Sequence, residues 1–463
     1  MLLALFVVNV SNGMMWLSYA PVPNYTATFY GVAENDVDWF SLVFFITSLL
    51  MGLAAIVILD TCGLTTSLYL GASCNLIGGV IKWVSTISPV LCSHDYQRSG
   101  YMVAMIGQTI TAFAQPFLLF APTKLASFWF GPKERAICTS ITSIANPVGL
   151  AVANIASPYL VSSPGLVPRM LWIYIIPAAM GFVLTLISFW PGRYHSSYPV
   201  PGHHEEKQSF RSFLKGLLSV LRNKSFCVLI FVWSVAAGLF NALITLLPQF
   251  LCPYGYTNNQ SGLWGALMIF VGLIGATVAS CILDHTKKFK EVGVVALGLA
   301  ILCLVWFMEV SILEHQSVNI AFSLCMFGFF ALPVIPVCME LGVEITYPIA
   351  EATSSGLLWT CAQVVGMVMV LLSNSPLQIE LSNTQVPLSQ CSVSEQRNDS
   401  FVSCLQNISS NAVVVTTLAY DTTYVQILYL ACIVVAFVCF VGLFYPVYKR
   451  TNSEQDSLCT KIN

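Results

Sequence analysis

Residues 191–224, "PGRYHSSYPVPGHHEEKQSFRSFLKGLLSVLRNK", are the longest polar interruption the chain meets before residue 375. On either side lie apolar runs of the about 20 residues that a membrane-crossing helix needs. Six precede it, over 2–23, 38–59, 65–90, 100–123, 134–161 and 169–190; six follow, over 225–250, 262–283, 292–313, 317–340, 352–374 and 423–446. Numbered in chain order as spans 1 to 12, they predict an all-α membrane protein of two six-helix halves, 1–190 and 225–447. The interruption is the linker between them, 375–422 is a long loop, and 448–463 is a tail.

Composition demands the same solvent. Of 463 residues, 57% are hydrophobic and 9% charged, against roughly 25% charged in soluble domains. A globule of this size has too little interior to hide so much apolar surface. The net charge of −2 says nothing about partners, and with no basic patch no nucleic-acid partner is expected. The histidines of "GHHEEK" (202–207) lie in a solvated linker, and no Cys pair or Cys/His cluster has metal spacing. No nucleotide loop, nucleophile elbow or metal-hydrolase motif occurs, so neither an enzyme nor a cofactor is expected. The opening run "MLLALFVVNV" lacks a basic leader and a small-residue cleavage site. It is read as a retained first span, with a true N-terminus that is short or lies outside this sequence.

Of the 19 Lys and Arg residues, all but Lys82, Arg98, Arg169 and Arg397 fall in segments on the side of both termini. The positive-inside rule therefore expects cytoplasmic termini, in a plasma membrane in preference to an organelle. The sequons at Asn398 and Asn407 then lie in the external 375–422 loop, where glycosylation is possible. Asn259 and Asn24 also face out, the latter close to the bilayer, whereas Asn9 is a chance match inside a span. Most of the sixteen cysteines sit singly in apolar runs as small hydrophobes. Only Cys391 and Cys404, in the polar loop, are read as able to pair.

The halves echo each other. "LDTCGL" (59–64) follows span 2 and "LDHTKK" (283–288) follows span 8; "FGPKERA" (130–136) precedes span 5 and "YPIAEAT" (347–353) precedes span 11. Six plus six spans with related halves is the major facilitator arrangement, whose substrate site lies midway between the halves.

At these motifs a family becomes visible. "DWFSLVFF" (38–45), "LDTCGL", "GQTITAFAQPFLLFAPTKLASFWFGPKERA" (107–136), "LDHTKKFKE" (283–291) and "EITYPIAEATSSGLL" (344–358) resemble the feline leukaemia virus subgroup C receptor family, solute carrier family 49. The resemblance covers nearly all twelve spans and implies alternating-access transport. Better-studied members carry choline and ethanolamine and were earlier described as haem exporters. Their choline pocket uses a Trp in span 1, a Gln in span 4, a Tyr in span 7 and a Gln in span 11. Trp16, Gln115 and Gln363 match; Asn241 stands where the Tyr would be, so half of an aromatic cage is expected to be missing.

The residues themselves support a narrower statement. Trp16 lies past mid-membrane; its face either attracts an ammonium by a cation–π contact or packs against neighbours. Asn12 and Gly13 are expected to loosen span 1, and Pro21 and Pro23 to end it, leaving Trp16 facing the cleft. Gln115 and Gln363, buried amides in opposite halves, need a ligand or another helix as partner. Gln108, seven residues before Gln115, is expected to line the same cavity. Glu340 and Glu344, one turn apart, with Asp60, Lys124, Lys133, Arg135 and Asp284, either form an inner gate of salt bridges or are solvated helix ends. In place of the basic residues that the family carries after Asp60 stand Cys62 and Thr65. Gly272, Gly275 and Ala276 mark close helix packing. Lys82 and Glu309 are placed near the outer ends, so no ionisable group sits convincingly at mid-depth for a proton pathway. The expected protein is a monomeric uniporter whose partners are the bilayer and a small organic solute, an amine first. Haem export, or a non-transporting receptor that displays the 375–422 loop, are the competing readings.

Overall fold

The computed structural model describes residues 1–87, 94–122, 124–125, 138, 141–188, 219–286, 288–313, 315–346, 351–373, 379–380, 420–421 and 423–446. Among the described residues, ten helices are long and apolar enough to cross a membrane. They cover spans 2–4 and 6–12, and two shorter ones complete the set. Span 5 is described over Ala145–Leu160. Span 1 runs Leu2–Trp16 and resumes as Pro23–Tyr30.

The break in span 1 has a local cause. Pro21 and Pro23 lack the N–H that would continue the ladder, and Pro23 instead starts the second piece, where a missing donor is harmless. Gly31, with φ 63°, closes that piece by donating to the Ala27 carbonyl. "FYG" (29–31) is therefore the end of a second helical segment. Asn12 and Gly13 do not loosen the first piece, which is continuous through both. Asn12 Nδ2 instead donates across to Asn75 Oδ1 and to the Thr111 carbonyl, both at 3.1 Å. Asn75 Nδ2 donates to Ser11 Oγ at 2.9 Å. The Asn12 amide nitrogen of an oily helix is thus paired by spans 3 and 4, as lipid requires.

The remaining spans are Trp39–Thr61, Leu64–Val84, His94–Leu119, Val167–Ser188, Lys224–Leu251, Asn258–Thr286, Phe289–Ser311, Ser317–Ala331 continued by Val334–Thr346, Glu351–Ser373 and Thr423–Leu443. Ile379–Glu380 and Tyr420–Asp421 form a two-residue antiparallel ladder at the ends of the long loop. Leu50, Ile77, Ile106, Ile176, Leu302, Val318 and Val438 are exposed on the outside of the bundle, the surface a lipid solvent permits and water would not.

Packing repeats between the halves. Span 1 lies on spans 5 and 6, span 2 on span 4, and span 3 on spans 4 and 6; span 7 lies on 11 and 12, span 8 on 10, and span 9 on 10 and 12. Adding six to each number turns one set into the other. The seam between halves obeys the same rule, with span 5 on span 8 and span 11 on span 2. On the charge expectation the end of the bundle at Lys124 is the inner one and the end at Cys252 the outer.

Backbones touch inside a half. A Cβ on Gly149 would lie 2.1 Å from the Val10 carbonyl oxygen, and one on Gly13 2.5 Å from that of Asn146. Spans 8 and 10 meet likewise, a Cβ on Gly275 falling 2.0 Å from the Phe329 oxygen. Gly149→Val is expected to force spans 1 and 5 apart and to destabilise the N-terminal half by about 3 kcal/mol. A thermal-shift measurement on purified protein checks this; an unchanged midpoint contradicts the packing.

Candidate functional site

Between the halves lies a cavity of about 130 Å³. Trp16 of span 1, Gln115 of span 4 and Asn146 of span 5 form one wall. Trp233, Phe240 and Asn241 of span 7, Met339 of span 10, and Trp359 and Gln363 of span 11 form the other. These residues sit at the middle or the inner half of their spans. Ser143, exposed and at the start of span 5, lies at the inner mouth.

Each wall is held by its own second layer. The indole of Trp16 is 4% exposed. It stacks on Phe44 at 5.8 Å and 17° and meets the edge of Phe45 at 5.6 Å and 89°. Ser48 donates to Gln115 Oε1 at 2.7 Å, which turns the amide nitrogen of Gln115 away from that partner and leaves it unpaired. Opposite, Trp233 and Trp359 form an edge-to-face pair with centroids 5.3 Å apart, a favourable aromatic geometry. The half-missing cage is therefore corrected. Where Asn241 replaces a Tyr, Trp233, Trp359 and Phe240 supply the aromatic surface. Tryptophans midway along spans 7 and 11, away from the interfacial belt, were the available signal.

The break in span 1 is braced from behind. A helix end leaves its last carbonyls without intrahelical donors. Here Gln108 Nε2 lies 3.3 Å from the Met15 and Trp16 oxygens and 3.0 Å from that of Phe40. Lys82 Nζ donates to the Met15 oxygen at 3.2 Å and to Ser18 Oγ at 2.7 Å, 4.7 Å above the ring of Tyr19. Gln108 thus does not line the cavity. Seven residues put it on the face of Gln115 but about 10 Å further along the axis, at the depth of the break. Lys82, in the last turn of span 3 and so at its outer end as expected, is fully buried against the same Met15 carbonyl.

At the outer end the halves are latched by contacts the sequence reading did not single out. Gln249 Nε2 donates to Asp38 Oδ1 at 2.8 Å, and Asn258 Nδ2 to Asn24 Oδ1 at 2.7 Å. Gly262 of span 8 abuts Asn154 of span 5. Asn24 is buried in this latch. Asn259, beside it, is exposed.

At the inner end Glu344 is buried and Glu340 exposed, and Lys124 donates to the Leu59 carbonyl. Lys133 and Arg135, and the side chains of Asp60 and Asp284, lie outside the described residues, as do Asn398, Asn407, Cys391 and Cys404. Cys252, at the outer end of span 7, is disulfide-bonded, so the pairing expected of the polar loop alone is corrected. Among the described residues no group of His, Cys, Asp and Glu is arranged to hold a metal ion.

Comparison with known proteins gives concordant likenesses. The model of the Major Facilitator Superfamily matches residues 2–370. Solute carrier family 49 member A3 of Danio rerio is 37% identical over 395 residues, 85% of this chain and 81% of that one. The choline/ethanolamine transporter FLVCR1 of Felis catus is 29% identical, over 80% of this chain and 66% of that one. Among solved structures, a bacterial homolog of the human lysosomal transporter Spinster, inward-facing and occupied, has a TM-score of 0.63 at 14% identity. It covers 95% of both chains, a likeness of fold.

Proposed function

The chain belongs to the Major Facilitator Superfamily and, within it, to solute carrier family 49, and we propose that it carries a small organic amine across its membrane by alternating access. That it is a multi-pass membrane transporter of small solutes and not an enzyme follows from the family. The amine rests on one observation: Trp16, Gln115 and Gln363, supplied by opposite halves, wall a single cavity together with Trp233, Trp359 and Phe240. Aromatic faces attract an ammonium, by about 2 kcal/mol or more where water is excluded. The choline/ethanolamine transporter FLVCR1 is similar over 80% of the chain, which supports the same class of solute.

The mechanism follows from where the halves touch. With the outer latch of Asp38–Gln249 and Asn24–Asn258 made and the cavity walled by inner-half residues, the solute exchanges with the inner side. Rocking about the spans 2–11 and 5–8 seams breaks that latch and opens the cavity outward. No Asp, Glu, Lys or Arg is among the described lining residues, which supports uniport over proton coupling. One chain supplies both walls, so a monomer suffices. Cytoplasmic termini are supported by the Lys/Arg distribution, by exposed Asn259, and by the bonded Cys252 at the outer end, since disulfides persist in oxidising compartments.

Uptake of labelled choline, ethanolamine, trimethylglycine and glycine into proteoliposomes tests the proposal. Saturable flux of at least one is expected; none from folded, reconstituted protein overturns the amine reading. Asn241→Tyr adds an aromatic face to a wall that already has three. It is expected to raise choline affinity roughly three- to tenfold, and an unchanged affinity means that choline is disfavoured for another reason.

A further inference from the structure

We infer that the solute of this cavity is a zwitterion, an ammonium compound that also carries a carboxylate, in preference to an amino alcohol. The inference rests on the amine reading of the same site and adds its second pole. Four buried donors of the lining residues have no partner: Nε1 of Trp16, Nε1 of Trp233, Nε2 of Gln115 and Nδ2 of Asn146. One acceptor, Gln363 Oε1, is in the same state. An indole only donates, so for the two tryptophans no rotation of the group turns the surplus into a deficit. Buried donors are penalised when left unmade, and the ligand that suits this wall brings lone pairs. A carboxylate offers about four acceptor positions, a hydroxyl two and a competing proton.

Charge selects the zwitterion over a plain anion or cation. The described lining residues carry no formal charge, and burying an unpaired ion in such a place is strongly unfavourable. A ligand that brings its own counter-charge avoids that. The poles are also assigned. Lys82 donates to the Met15 carbonyl, one residue from Trp16, and among the described residues the contacts of its ammonium are that oxygen, the Met15 sulfur, Ser18 Oγ and the face of Tyr19. The Trp16 wall is therefore backed by the N–H donors of Lys82 and Gln108, a polarity that suits the carboxylate. The ammonium goes to Trp359, Phe240 and Gln363 Oε1 opposite. With one donor indole from each half, a bound carboxylate ties the halves together, which is what occlusion around the solute needs.

Two matched pairs of probes test this by equilibrium binding to the purified full chain: trimethylglycine against choline, and glycine against ethanolamine. Each pair shares its ammonium and differs by carboxylate against hydroxymethyl. In whichever pair binds, the carboxylate member is expected to bind at least tenfold tighter. Trp233→Phe, which keeps a ring and removes the N–H, is expected to shrink that preference at least fivefold. Equal or tighter binding of the hydroxyl member overturns the zwitterion while the amine reading stands. A Trp233→Phe variant that keeps the full preference removes the indole from the carboxylate's shell and overturns the assignment of poles. Binding of none of the four overturns both readings together.

Discussion

Gly262→Leu is expected to lower solute flux at least tenfold in a protein that still folds. Gly262 begins span 8 where that span crosses span 5 of the other half, and a Cβ there would sit 2.1 Å from the Asn154 carbonyl oxygen and 3.0 Å from Pro158 Cγ. Backbones this close tolerate no side chain. Neither half has to deform internally, because the collision lies on the seam between them. The seam opens instead, and the outer latch of Asn24 with Asn258, four residues earlier on span 8, is lost with it. Overpacking of this kind is typically worth about 1–3 kcal/mol. Charged against the closed state alone, that shifts the balance toward the outward-open form by roughly ten- to a hundredfold. Two measurements check it: proteoliposome uptake, and labelling of a Ser143→Cys probe at the inner mouth by an impermeant maleimide. Flux and labelling should fall together while the melting midpoint holds. Wild-type flux from the leucine variant would mean that spans 5 and 8 do not close the outer end.

The second large effect is expected from Trp16→Ala, a loss of at least tenfold in affinity for the amine, equivalent to about 1.4 kcal/mol. The substitution removes the ring that stacks on Phe44 and meets Phe45, and with it one of the two donor indoles and much of the N-terminal wall. Phe44 and Phe45 are fully buried and each loses a ring partner with the indole, so the wall relaxes as well as shrinks. Competition binding with whichever probe the wild type takes best provides the measure. An unchanged affinity would remove Trp16 from the site and leave it a packing residue of the span 1 break.

Much of this was legible in the residues. The linker at 191–224 and the apolar runs on either side follow from composition and length, because lipid forces every spanning segment to be a helix of about 20 residues. The echo of "FGPKERA" in "YPIAEAT" pointed to related halves, and the packing repeats span by span. Depth and rotation were harder. Gln108 and Gln115 share a face, yet one braces the Met15 and Trp16 carbonyls while the other lines the cavity. Spacing gives the angle around a helix; position along the bundle depends on where the neighbouring helix breaks. Lys82 lies in the last turn of span 3, the outer end expected of it, but its full burial was not legible for the same reason. Its burial depends on the interruption of span 1, which offers a carbonyl and a hydroxyl deep in the bundle where an unbroken helix offers neither.

The chain's own chemistry determines that this protein lives in lipid, folds as twelve spans in two related halves, and carries aromatic and amide groups in spans 1, 4, 7 and 11. Those properties are local: apolar length, proline positions and charge distribution act within a segment. Which of the groups meet was decided by tertiary structure alone. Trp16 and Trp233 stand 217 positions apart in sequence and share a cavity only because the halves lean together along spans 2–11 and 5–8. The surplus of unpaired donors, the outer latch and the Lys82 brace behind Trp16 belong to pairs of helices, and no single helix contains them.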